Sequence, residues 1–85
     1  MTEALEVRVK RLKMRSMRRG IKELDLLLGS FAESQLETMN EEQQLLYDEL
    51  LLESDHDILG WLTRQVKVPE RYEGMIHQIS STCHG

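Results

Sequence analysis

Eighty-five residues suffice for one domain with one core, and the lone cysteine, Cys83, excludes an internal disulfide and fits a reducing compartment. Hydrophobic residues make up 40% of the chain but aromatics only 5%, a balance that favours helix over sheet, and no apolar run reaches membrane-spanning length. The net charge of −4 hides a split: residues 1–22 set eight Lys or Arg against Glu3 and Glu6, a balance of +6, while residues 23–85 carry −10.

The basic part comes first. Residues 1–18 form a basic N-terminal segment, and the spacing predicts a helix over 3–18. Leu5, Val9 and Leu12 recur at helical intervals, and Met17 extends the stripe. Arg8, Arg11, Arg15 and Arg18 make a second stripe on another face. A basic amphipathic start invites comparison with an organellar leader, but Glu3 and Glu6 argue against one, because such leaders are poor in acids.

Arg19-Gly20-Ile21-Lys22-Glu23 is the seam between the basic and acidic parts. Two readings of it stand side by side. In one, Gly20 ends the first helix in the left-handed conformation that a side chain makes costly. Arg18 and Arg19 then suit the negative end of that helix, and Glu23 the positive start of the next. In the other, Gly20 lets a partner's backbone come close while Arg19 and Glu23 grip it.

A second helix is expected over 21–38, with Leu24, Leu27, Leu28 and Phe31 on its buried face and a kink at Gly29-Ser30. Leu36 and Met39 continue an apolar face beyond it. Asn40 is placed to cap a third helix, with Gln43 closing a capping box and Leu46, Tyr47, Leu50 and Leu51 turned inward. Ser54 or Asp55 caps a short fourth helix that buries Ile58, Leu59, Trp61 and Leu62; Gly60 beside Trp61 reads as a close helix crossing. Pro69 pre-sets a fifth helix carrying Tyr72, Met75, Ile76 and Ile79. The polar tail 80–85 reads as flexible. Helices this short are marginal alone, so an all-α compact bundle of five short helices sharing one core, in a single domain 1–85, is the expected fold.

Candidate chemistry is thin. His77, Cys83 and His84 are the only clustered nitrogen and sulfur ligands, and a zinc site asks for three or four in a firm frame. No motif surrounds Cys83 to activate it. The carboxylates Glu41-Glu42, Asp48-Glu49 and Asp55-Asp57 suit helix starts and solvated faces. No phosphate-binding glycine loop or dinucleotide fingerprint is present, and a chain this short would struggle to enclose a dinucleotide. No metal site and no enzyme activity are expected. The class that remains open beside a protein-binding helper is a small nucleic-acid-binding or regulatory module using the basic helix. Against it, the rest of the chain would repel a polyanion.

Four landmarks then point to a family. They are Arg15-Ser16 leading into Arg19-Gly20-Ile21-Lys22-Glu23; Leu24-Asp25-Leu26-Leu27-Leu28-Gly29 with Phe31-Ala32; Tyr47-Asp48-Glu49-Leu50-Leu51 followed by Glu53, Asp55 and Asp57; and Trp61-Leu62 before Pro69. In this order, over roughly residues 12–79, the chain resembles the succinate dehydrogenase assembly factor family, the bacterial flavinylation factors and their mitochondrial relatives. The resemblance implies a five-helix domain that binds the flavoprotein subunit of succinate dehydrogenase, and in some bacteria that of fumarate reductase. It implies promotion of covalent FAD attachment to a histidine of that subunit. FAD would then be the client's cofactor, with none held stably here, and neither nucleic-acid binding nor membrane insertion is expected.

The family motif R-G-x-x-E falls on Arg19, Gly20 and Glu23, while Arg15 and Asp25 match positions nearby; these five are the expected partner-binding residues. Ile21 stands where many members have Met or Thr, at a variable slot. Mitochondrial members carry a longer N-terminal extension, so the resemblance is to the bacterial, cytoplasmic branch.

Overall fold

Two of the helices start where a side chain satisfies free backbone N–H groups. The structure, a computed structural model, describes residues 4–84, with side chains through Thr82. Helix α1 spans Leu5–Met17, α2 Lys22–Gln35, α3 Glu41–Leu51, α4 Asp55–Leu62 and α5 Glu73–His84. The expected start of the first helix at residue 3 lies outside the described residues. Asn40 and Gln43 form the predicted capping box on α3, with Asn40 Oδ1 accepting from the Gln43 N–H at 2.8 Å and Gln43 Oε1 from the Asn40 N–H at 3.1 Å. Ser54, rather than Asp55, caps α4 through the Asp57 N–H.

Three local expectations give way to tertiary packing. Helix α2 runs through Gly29 without a break and ends at Gln35 in a 3-10 turn, Leu36–Thr38. Gly29 sits where Met17 of α1 crosses, and a Cβ there would lie 3.4 Å from Met17 Cγ. Its missing side chain serves the packing of two helices rather than a kink. Gly60 faces no crossing helix; its bare Cα receives Val66 from the connector after α4, and a Cβ would come within 2.8 Å of Val66 Cγ2. Before α5, Pro69 opens a 3-10 turn, Glu70–Tyr72, and α5 itself continues past the expected end at Ile79 to His84.

The core is one cluster. Val9 and Leu12 of α1, Leu24, Leu28, Phe31 and Ala32 of α2, Tyr47, Leu50 and Leu51 of α3, Ile58 and Trp61 of α4, and Met75, Ile76 and Ile79 of α5 are buried together. Leu36, Met39 and Tyr72 join them from the 3-10 segments and their flanks. Phe31 packs on Tyr47, ring centroids 5.3 Å apart, and Trp61 on Tyr72 at 5.6 Å. Both distances suit aromatic pairs. Leu5 and Met17, expected inside, remain 59% and 45% exposed, because the α1 stripe that meets the core is completed by Ser16 and Arg8.

Candidate functional site

The connection between α1 and α2 is fastened to the connection between α3 and α4 by a single arginine. The last carbonyls of α3 have no partner inside their helix and carry the negative end of its dipole. The Arg19 guanidinium fills that place and reaches the turn beyond it: Nη1 donates to the Leu51 carbonyl at 2.6 Å and Nη2 to the carbonyl of Glu53, two residues past α3, at 3.0 Å. Its Nε donates to Asp55 Oδ1 at 2.7 Å. With 10% of its side chain exposed, Arg19 faces inward, contrary to the expectation that it grips a partner through its own bonds. Its five donors are fixed in a planar fork, which suits three acceptors on one side of a turn.

Gly20 lies directly above this bond. Its N–H donates to Asp55 Oδ2 at 2.8 Å, while the residue itself stays exposed. Among the described residues no glycine has a positive φ, so the left-handed cap expected here is absent. What the site asks of Gly20 is room: a Cβ would stand 3.2 Å from Asp55 Oδ2. The Gly20 N–H, and after it the Arg19 charge, hold the Asp55 carboxyl below the usual carboxylate range, against the opposing effect of burial. Asp25, in the first turn of α2, reaches back to accept the Arg19 N–H at 2.5 Å. Two carboxylates thus hold consecutive backbone amides, and the turn is tied from both sides.

Glu23 takes no part in this network. It is exposed near the start of α2 and lines a cleft of about 340 Å³ with Leu27, Leu62, Arg64 and Ser80. Among the described residues it has no ion pair. Arg15 is drawn the other way, onto α3: Nη1 lies 3.4 Å from Asp48 Oδ1, and Arg11 holds the same carboxylate with two bonds of 3.2 and 3.0 Å. The five expected residues therefore divide. Arg19, Gly20 and Asp25 form one bonded turn, Glu23 opens outward beyond it, and Arg15 belongs to the seam between α1 and α3.

That seam explains most of the arginine stripe. Arg8, 8% exposed at its side chain, reaches Gln44 Oε1 and Glu41 Oε1, each at 3.3 Å. Gln44 in turn donates to the Leu36 and Met39 carbonyls. Ser16 Oγ lies 2.5 Å from the Tyr47 hydroxyl and donates to the Leu12 carbonyl, closing a buried polar contact between the same helices. Periodicity alone missed these groups, and it placed Asp55 only at a helix start. The available signal was Ser54: with Ser54 capping α4, Asp55 is free to face another element.

A short helical domain that holds one glycine turn rigid and exposed, with an unpaired acid beside it, defines the class: a small all-α domain built to present a turn. The family follows from comparison. Residues 10–83 match the family model described as Flavinator of succinate dehydrogenase, and the chain belongs to that family. It is 42% identical over 79 residues to "Succinate dehydrogenase assembly factor 2-A, mitochondrial" of Drosophila willistoni, covering 91% of this chain and 50% of that protein. It is 42% identical over 76 residues to "Succinate dehydrogenase assembly factor 2, mitochondrial" of Danio rerio, covering 87% and 48%. The protein of the same name from Candida glabrata is 43% identical over 74 residues, covering 84% and 48%. The chain thus spans about half the length of the curated relatives it matches. Among the described residues no helix is long and apolar enough to cross a membrane, and no group of three or more His, Cys, Asp or Glu is placed to hold a metal ion.

Proposed function

We propose that this protein binds the flavoprotein subunit of succinate dehydrogenase through the Gly20 turn and promotes its covalent flavinylation, acting as a holder rather than a catalyst. Family membership supports the client, and one observation supports the surface: the exposed Gly20 is clamped by Arg19, Asp25 and Asp55 while Glu23 stands free beside it. A turn held this way loses little freedom on binding, which favours affinity. Arg19 and Asp25 then act as positioning residues, and the contacts to the client come from the Gly20 backbone and from Glu23, with Arg15 at the edge.

Covalent flavin attachment is chemistry of FAD and the receiving histidine in the client, and a helper contributes geometry. To help by binding, the factor must prefer the client arrangement in which histidine and flavin meet, and release the finished product. Fumarate reductase, whose flavoprotein subunit poses the same problem, is proposed as a second client. The single cysteine fits a reducing compartment, and the proposed location is the bacterial cytoplasm.

Co-expression with the flavoprotein subunit, read as covalent flavin fluorescence in a denaturing gel, tests this reading. The wild-type chain should raise the fluorescence of the client band. Gly20→Arg should lose the effect while keeping its helical circular dichroism; normal flavinylation by that variant would remove the turn from the interface. Glu23→Ala should weaken the complex more than it lowers Tm, and the reverse ranking would make Glu23 a helix-start residue only.

A further inference from the structure

Helix α1 has two apolar faces, and only one meets the core. Val9, Leu12 and Ser16 point inward. On the opposite side Val7 and Met14 stand 55% and 52% exposed. They are seven residues apart, two turns and roughly 10 Å along the helix. Lys10, Arg11, Arg15 and Arg18 surround them, and together these six side chains line a shallow groove of about 590 Å³ whose end is formed by Arg19, beside the Gly20 turn. Arg11 and Arg15 both reach the carboxylate of Asp48. Lys10 and Arg18 are exposed and have no ion pair among the described residues. Among the described residues, Glu6 on the flank of Lys10 is the other acid near this face.

Burying the arginines of this stripe against α3 explains why they are there. It does not explain two exposed apolar side chains centred among cations, on the side of α1 turned away from the core. We propose that this groove is a second docking surface, occupied by an acidic amphipathic helix of the client flavoprotein that sets two apolar side chains, two turns apart, on Val7 and Met14 and its carboxylates against Lys10 and Arg18. The inference rests on the client reading above and extends it from a turn to a groove that runs into that turn. Charge complementarity selects the occupant. A duplex nucleic acid would satisfy the cations but leave Val7 and Met14 against phosphates. A lipid surface wants a continuous apolar stripe with large side chains, whereas here cations interrupt it and Arg11 and Arg15 are pinned to Asp48. An acidic helix uses both kinds of group, with methionine adapting its shape to the partner.

The test measures binding of the full chain to the purified flavoprotein subunit at low and physiological salt, with a phosphatidylglycerol vesicle and a 20-base-pair DNA duplex as the other probes. Lys10→Glu/Arg18→Glu should bind the flavoprotein at least 10-fold more weakly than wild type at low salt, with unchanged circular dichroism and Tm. Its affinity should lose most of the salt dependence that wild type shows. Met14→Ser should weaken binding several-fold at either salt. If both variants bind as wild type while Gly20→Arg does not, the groove is not part of the interface and the turn alone docks. Loss of vesicle or duplex binding by the double variant, with flavoprotein binding intact, would assign the groove to that other partner and overturn the proposal. Failure of the wild-type chain to bind the flavoprotein at all would sink the client reading and this inference with it.

Discussion

The turn between α1 and α2 contains a glycine in an ordinary conformation, whereas the turn that ends α4 places an arginine, Arg64, at φ 62°. Glycine is the usual residue for that left-handed position, and an L side chain there costs about 1–2 kcal/mol. The α4 end nonetheless has the full bonding of a left-handed helix stop: the Arg64 N–H donates to the Trp61 carbonyl at 3.2 Å and the Gln65 N–H to the Gly60 carbonyl at 2.9 Å. Val66 then folds onto the bare Cα of Gly60. At the α1 end, Gly20 brings no special dihedral but opens space for a carboxylate at its amide. One turn is held by backbone bonds within its own helix, the other by side chains from two neighbouring elements. A glycine in a sequence therefore signals either a dihedral or a distance, and only the neighbours tell which.

The sharpest way to break this comparison is Asp55→Ala. It strips the Gly20 backbone N–H and the Arg19 Nε–H of their shared acceptor and leaves a largely buried guanidinium on two carbonyls. The expected loss is about 2–3 kcal/mol, seen as a fall in Tm of roughly 10–20 °C. A fall of a degree or two would mean that the turn is not held from outside. Acid gives a related test. The Asp55 carboxyl is held below its ordinary value of 3.8, so its contribution is complete above that value and disappears as pH falls through the lower, folded one. The stability gap between wild type and Asp55→Ala should stay level from neutral pH to about pH 5 and narrow below about pH 4. Urea denaturation across that range measures it, and a gap unchanged at pH 2 would refute the charge assignment.

At the other turn the sign reverses. Arg64→Gly should stabilise the chain by about 1 kcal/mol, since glycine removes the left-handed penalty while adding some unfolded-state entropy. Destabilisation would show that the Arg64 side chain contributes to the fold from its place beside Glu23. The smallest effect is expected of Gly20→Ala. Its φ suits alanine, and Asp55 need yield only a few tenths of an ångström, so the loss should stay below about 1 kcal/mol. A larger loss would mean that the Asp55 carboxylate is too firmly held to move.

Helix number, the cap at Asn40, a cap for α4 at Ser54 or Asp55, and most of the core were legible in the chain, because a 3.6-residue period and a side chain bonding three residues ahead are local properties. The five candidate residues were legible as a motif too, through the order Arg15, Arg19, Gly20, Glu23, Asp25. Their division was not. Arg19 turns inward because the end of α3 and the start of α4, more than thirty residues away, offer it two carbonyls and a carboxylate. Glu23 stays outside, lining a cleft with Arg64 but in no ion pair among the described residues. The same holds for Gly29 and Gly60, whose empty Cα positions are filled by Met17 and Val66. Periodicity assigns a residue to a face, but the partner on that face arrives only when the chain closes on itself. Charge pairs and close approaches, which fall off within a few ångströms, were therefore decided by the tertiary structure alone.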